Sequence, residues 1–79
     1  QVDLLLTRNQ ITNNGGSSIE GDGVNLTLRN GATGNFTVTN NAIANNTNSG
    51  GIANGIEVQQ LDSSSGNFTI ADNTVTGNQ

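Results

Sequence analysis

The stretch Gly34-Asn35-Phe36-Thr37-Val38 returns 32 residues later as Gly66-Asn67-Phe68-Thr69-Ile70, and the rest of the chain falls into place around that recurrence. At the same offset, Leu4-Leu5-Leu6-Thr7-Arg8-Asn9-Gln10-Ile11-Thr12-Asn13-Asn14 aligns with Phe36-Thr37-Val38-Thr39-Asn40-Asn41-Ala42-Ile43-Ala44-Asn45-Asn46. Another copy opens at Phe68 and runs to Gln79. A period of this size is the mark of a repeat architecture, in which each unit buries its apolar face only by stacking on its neighbours.

Helical repeats are excluded by local pattern. They need apolar residues at i, i+3, i+4 and i+7, whereas here Asn and Gly interrupt every few residues and β-branched residues alternate with polar ones. Each unit therefore consists of short strands, and in the middle unit these are predicted at residues 36–39, 42–44 and 56–59. Three strands per 32-residue coil make a triangular prism, and the 79 residues wind about two and a half coils, 4–35, 36–67 and a partial 68–79. The fold expected is an all-β, parallel β-helix, with residues 1–79 forming one segment of a longer solenoid.

Alternation along each strand sets which side chains point inward. Stacking the copies gives the columns Leu4/Phe36/Phe68, Leu6/Val38/Ile70, Ile11/Ile43/Val75, Val24/Ile56 and Leu26/Val58, apolar at every position. Two further columns are pure asparagine: Asn9/Asn41/Asn73 and Asn14/Asn46/Asn78. Asn tolerates the left-handed backbone of a sharp corner, so the first column is expected to supply it. Side-chain amides stacked one strand spacing apart, about 4.8 Å, can also hydrogen-bond along the column as a ladder.

The pattern of strand, x-Asn, strand, polar loop and Gly55-Ile56-Glu57-Val58 resembles the repeats of right-handed parallel β-helices in the pectate-lyase-like superfamily, over nearly the whole chain. The resemblance implies three parallel sheets, an Asn ladder in the tight turn between the second and third, and variable loops beside the first. It assigns Val24–Leu28 and 56–59 to the first sheet. In polysaccharide-cleaving members the working residues lie on the outer face of that sheet. Here those positions read Asn25, Thr27, Arg29, Glu57, Gln59 and Leu61. The fold alone does not choose a function, since enzymes, adhesins and structural shafts share the coil.

Composition narrows the field. Asn, Gly, Ser and Thr dominate, with 30% hydrophobic residues, but only 10% charge and a regular apolar spacing argue for order over disorder. A net charge of -4, two basic residues and no Tyr or Trp argue against a nucleic-acid partner. No apolar run approaches the roughly 20 residues that span a bilayer, and Leu4-Leu5-Leu6 is too short for a signal-peptide core, so no membrane insertion is expected. The absence of an initiating Met is read as processing or excision from a longer chain.

With no His, Cys or Lys, nucleophilic triads, histidine or cysteine zinc sites and Schiff bases have no residues to use. The acids are Asp3, Glu20, Asp22, Glu57, Asp62 and Asp72, of which Glu20, Asp22 and Glu57 could share a neighbourhood as a glycosidase-like pair or as part of a calcium site. Lyase chemistry of the superfamily would need Arg8 or Arg29 as base, and Arg8 falls in the ladder turn, away from the cleft side. Arg29 is instead expected to pair with Asp62 at the surface. Gly21-Asp22-Gly23 reads as a turn, since no GxGxxG or helix follows it. The glycosylation-like triplets at Asn25, Asn35, Asn45 and Asn67 are ordinary in so Asn- and Thr-rich a chain.

The expectation is a non-catalytic structural or adhesive segment, extracellular or at a cell surface, with no catalytic residues, metal or cofactor. Its partners would be flanking coils of the same chain, copies of itself, or surface polysaccharide. An isolated 79-residue chain is expected to be unfolded or polymeric, because open strand edges and open apolar columns lack caps. The alternative is a carbohydrate-binding or polysaccharide-degrading β-helix with its active residues elsewhere. Ice binding is a minor alternative carried by Thr37-Val38-Thr39 and Thr74-Val75-Thr76, against which Leu5 and Ala71 interrupt the threonine columns.

Overall fold

Runs of two to seven residues between Asn- and Gly-bearing corners pair only in parallel, each with the run 32 residues away. The computed structural model of the chain describes residues 1–16, 21–48 and 52–79. Its strands are β1 Val2–Thr7, β2 Gln10–Thr12, β3 Gly15–Gly16, β4 Val24–Leu28, β5 Thr33–Thr39, β6 Ala42–Ala44, β7 Thr47–Asn48, β8 Ile56–Gln60, β9 Ser65–Ala71 and β10 Thr74–Thr76. They form the sheets β1-β5-β9, β10-β6-β2 and β4-β8, with a two-residue pairing β3-β7 between the second and third. The described residues contain no helix. The fold is a parallel β-solenoid, and its shortest extent, 12 Å against 33 and 26 Å, matches the thickness of two and a half stacked coils.

Register follows the sequence offset at every pairing, with Leu4 opposite Phe36, Phe36 opposite Phe68, Ile11 opposite Ile43 and Val24 opposite Ile56. The core comprises Val24, Leu26, Leu28, Phe36, Val38 and Ile43, with Leu4, Leu6, Ile11, Ala32, Ile56 and Phe68 packed against it. The Phe36 and Phe68 rings stack with centroids 5.1 Å apart and planes 10° from parallel. Three members of the apolar columns, Val58, Ile70 and Val75, are 38%, 42% and 44% exposed. Each lies in the last strand of its sheet, where no further coil covers it.

Two details depart from the sequence reading. The strand expected from Phe36 begins at Thr33, so Gly34 lies inside it. A Cβ at Gly34 or Gly66 would collide with the ring of the Phe two residues on, which leans back over the glycine. Where Leu4 replaces the Phe, Val2 replaces the Gly. The second departure concerns the corner. Its left-handed residues are Arg8, Asn40 and Asp72, with φ of 56°, 59° and 57°, each one position before the ladder column Asn9/Asn41/Asn73. The ladder asparagines do not take the left-handed backbone assigned to them. Their place in the turn is fixed instead by what their side chains bond.

Three kinds of corner are seen among the described residues. The second, after β2, β6 and β10, puts Asn13, Asn45 and Gly77 at positive φ just ahead of Asn14, Asn46 and Asn78. The third, after β4 and β8, is a two-residue turn with both central residues left-handed, Asn30-Gly31 and Asp62-Ser63. It is closed by Ala32 N–H donating to Arg29 O at 3.2 Å and Ser64 N–H to Leu61 O at 3.0 Å, the type I′ arrangement. The buried Ser64 hydroxyl donates to Leu28 O at 3.1 Å and ties this corner to the coil before.

Candidate functional site

The two inner ladders run through the first two corners. Asn41 Oδ1 accepts from both the backbone N–H of Asn9, at 2.9 Å, and its Nδ2, at 3.1 Å. Asn41 Nδ2 donates forward to Asn73 Oδ1 and backward to Leu6 O, each at 3.0 Å. Both amide protons and both carbonyl lone pairs are thus used, in a side chain only 2% exposed. Asn46 repeats the scheme with Asn14, Asn78 and Ile11 O and is 0% exposed. No buried side-chain nitrogen or oxygen among the described residues lacks a partner. Satisfaction is what makes such burial tolerable, since an unpaired buried amide group costs on the order of 1–3 kcal/mol.

A third ladder, not read from the sequence, runs up the outer face of the β1-β5-β9 sheet. Asn67 Nδ2 donates to Asn35 Oδ1 at 2.9 Å, and Asn35 Nδ2 donates to Asp3 Oδ1 at 2.9 Å. Gln1 Nε2 adds a bond to the same Asp3 oxygen at 3.1 Å. These amides hold the Asp3 carboxyl below its ordinary value, Asn35 foremost. The signal was available in the repeated Gly-Asn-Phe, but an Asp in the first copy broke the column of identical residues. On the same face, Leu5 is the outward neighbour of Thr37, and Ala71 of Thr39, so the threonine array is interrupted in two of its columns.

The outward face of β4 and β8 holds the carboxylates considered for chemistry. Asn25 Nδ2 donates to Glu57 Oε2 at 3.1 Å and to Asp22 Oδ2 at 3.3 Å, so one amide bridges the two acids. Asp22 Oδ1 accepts the backbone N–H of Asn54 at 2.7 Å, and Glu57 Oε1 accepts from Gln59 Nε2 at 2.7 Å. The Asn54 N–H is the main reason the Asp22 carboxyl sits below its ordinary value; partial burial opposes it, and the Asn25 amide, the Glu57 carboxyl and the Asn54 side chain assist. Glu20, the remaining acid of this group, lies outside the described residues.

A glycosidase pair needs its carboxyls about 5–9 Å apart with the glycosidic bond between them. In this cluster the Asn25 amide binds both acids, and the Glu57 carboxyl also acts directly on Asp22. Arg29 and Asp62 form no ion pair, and Arg8 and Arg29 make none with any described residue. Among the described residues no three His, Cys, Asp or Glu side chains converge as a metal site. No described helix is long and apolar enough to cross a membrane.

The class these features define is a parallel β-solenoid held by asparagine ladders. A scan against family models finds no match for the chain, and neither the curated proteins nor the solved structures yield one.

Proposed function

We propose that the chain is a segment of a right-handed parallel β-helix of the pectate-lyase-like kind, serving as a non-catalytic shaft or adhesive rod outside the cell or on its surface. The observation that supports this most is where the polar side chains are spent. The side chains of Asn41 and Asn46 use every donor and acceptor, all on bonds from coil to coil, and Asn35, Asn25, Asp3 and Asp22 each make at least one coil-to-coil bond on the outside. Such groups add rigidity along the axis and leave little free to bind or turn over a substrate. The right-handed sense is favoured by the general handedness of parallel strand connections. The rod's natural neighbours are further coils, and its polar coat of Thr and Asn suits contact with surface polysaccharide.

A second reading, a polysaccharide-degrading domain, is favoured by one observation, the closeness of Asp22 and Glu57. Incubation with uronic-acid and neutral polysaccharides separates the two. The shaft reading expects no shortened product, and turnover that disappears in Glu57→Gln overturns it. The shaft reading also expects that duplicating residues 36–67 raises the melting temperature, because each added coil contributes its own interface.

A further inference from the structure

Asparagine followed by glycine is chemically the least durable pair in a polypeptide, because glycine, lacking Cβ, lets its own backbone nitrogen swing onto the preceding side-chain amide. The chain has three such pairs, Asn14-Gly15, Asn30-Gly31 and Asn54-Gly55. As sequence they are equivalent. The coils make them unequal.

Attack by the glycine nitrogen needs rotation about the Cα–C bond of the asparagine, and at two of the pairs that bond is pinned on both sides. The Asn14 backbone N–H donates to Asn46 Oδ1 at 3.1 Å, its Nδ2 donates to the same atom at 3.0 Å, and its carbonyl accepts from Thr47 N–H at 2.8 Å. Gly15 lies so close to the Thr47 carbonyl that a Cβ would not fit. The Asn54 N–H donates to Asp22 Oδ1 at 2.7 Å, and its carbonyl accepts from Gly23 N–H at 2.9 Å. Gly55 is walled in by the Val75 and Asn78 side chains.

The third pair sits in the exposed two-residue turn between β4 and β5. No hydrogen bond joins Asn30, through backbone or side chain, to any described residue. Around Gly31, nothing stands within 4 Å of where a Cβ would lie. Two surface bonds keep the turn shut, Gly31 N–H to Asp62 O at 2.9 Å and Ala32 N–H to Arg29 O at 3.2 Å. Turn bonds at the surface open at little cost in free energy, since water takes over both partners.

We propose that Asn30 is a site of spontaneous deamidation, the one of the three Asn-Gly pairs that the folded coils leave free to react. Once the turn opens and the Gly31 nitrogen gives its proton to solvent, that nitrogen attacks Asn30 Cγ. The N–Cγ bond forms and the Cγ–Nδ2 bond breaks. The amide nitrogen leaves as ammonia, taking a proton from solvent in place of the one given up. The result is a five-membered cyclic imide, which water opens. Cleavage between the ring nitrogen and Cγ gives aspartate at position 30, and cleavage between the ring nitrogen and the main-chain carbonyl carbon gives an isoaspartyl link. One water is consumed and one ammonia released, with no change of oxidation state.

The second coil already carries the aspartyl product at this place. Asp62 stands where the first coil has Asn30, in the same left-handed conformation, with φ of 53° against 57°. Aspartate at position 30 therefore suits the turn, and it sets a second carboxylate one strand spacing, about 4.8 Å, from the first. The isoaspartyl form does not suit it, since it adds a methylene to the backbone of a two-residue turn.

The test ages the full chain in neutral to mildly alkaline buffer at body temperature, with circular dichroism confirming that the sheets persist. Peptide mass spectrometry follows each pair, using fragmentation that separates aspartyl from isoaspartyl products. Conversion at Asn30 is expected to run roughly tenfold faster than at Asn14 or Asn54, whose additional bonds must break first. In concentrated urea the three rates are expected to draw level. Asn30→Gln is expected to remove the fast conversion and leave Asn14 and Asn54 as slow as before, and Asn30→Asp to keep the native spectrum. Equal rates at the three pairs in the folded chain overturn the proposal. A preference for Asn30 that persists in urea overturns the part given to the fold, and loss of the native spectrum in Asn30→Asp overturns the claim that the corner accepts the product. None of these readouts depends on whether the rod is a shaft or an enzyme.

Discussion

Asn41 and Asn35 make nearly the same hydrogen bonds to asparagines or an aspartate one coil away, at 2.9 to 3.1 Å, yet one is buried at a corner and the other exposed on a flat sheet. The difference shows that ladder geometry alone does not set ladder strength. An exposed amide exchanges its partner for water at little net cost. A buried one that loses its partner leaves desolvated groups with none. The inner ladders also fix a corner that no backbone turn bond closes, because they reach the carbonyls of Leu6, Ile11, Val38 and Ile43 at strand ends. The outer one spans strands already paired by their backbones.

The contrast is broken most directly at its buried pole. Asn46→Ala strands the Asn14 N–H and Nδ2, removes the side-chain bond to the Ile11 carbonyl, leaves Asn78 Oδ1 only the residue-46 backbone N–H, and is expected to cost about 3 kcal/mol in chemical denaturation, with Asn41→Ala close behind. A loss no larger than that of an exposed substitution would mean that water repairs the ladder. Next in size is Gly55→Ala. Its new methyl would overlap the Val75 side chain and stand 3.0 Å from Asn78 Nδ2, while Gly23 is hemmed in the same way by Ile43 and Asn46. We expect about 2 kcal/mol from overpacking, read as a lowered denaturation midpoint. The outer ladder is tested by Asn35→Ala, for which the expected change is below about 0.5 kcal/mol, inside the range of surface substitutions.

Acid sharpens the comparison from another side, because the inner amides do not titrate whereas Asp3 in the outer ladder and Asp22 beside Asn54 do. Both carboxyls have folded values below their ordinary 3.8, so they bind protons more readily unfolded than folded. Their contribution is complete above the unfolded value and is lost as pH falls through the folded one. Thermal melts are expected to be level from neutrality to about pH 5 and to decline below about pH 4, with Asp22→Asn reducing that decline. A melting temperature independent of pH down to 2.5 would contradict the carboxylate bonds.

The sequence made legible whatever repeats with the same residue type. The apolar columns and both inner ladders are of this kind, and so is the register, since each copy carries Asn or an apolar residue at the same offset. Less visible was anything that the copies achieve with different residues. The left-handed corner position is Arg8, Asn40 and Asp72 in turn, chemically unlike, because the backbone there asks only for a conformation and the side chain is exposed. The β3-β7 pairing joins Gly15-Gly16 to Thr47-Asn48, too short and too mixed for alternation to register. Leu28 escaped the core columns because Gln60 follows it at the offset; Gln60 has turned to accept the Gly66 N–H at 3.0 Å. The Asp22 site was read as a neighbourhood of acids, and its chief partner is a backbone N–H that no residue type could announce.

The glycine beneath each phenylalanine ring has a consequence for how such a chain can change. Gly34 with Phe36 and Gly66 with Phe68 are each a single heritable unit, a ring and the notch that receives it, and Val2 with Leu4 is the alternative pairing. A mutation that trades Leu4 for Phe while Val2 remains meets a filled notch, and one that trades Gly34 for Val while Phe36 remains fills it under the ring. The order of change is therefore constrained: the glycine has to arrive before the ring, and the ring has to leave before the glycine does.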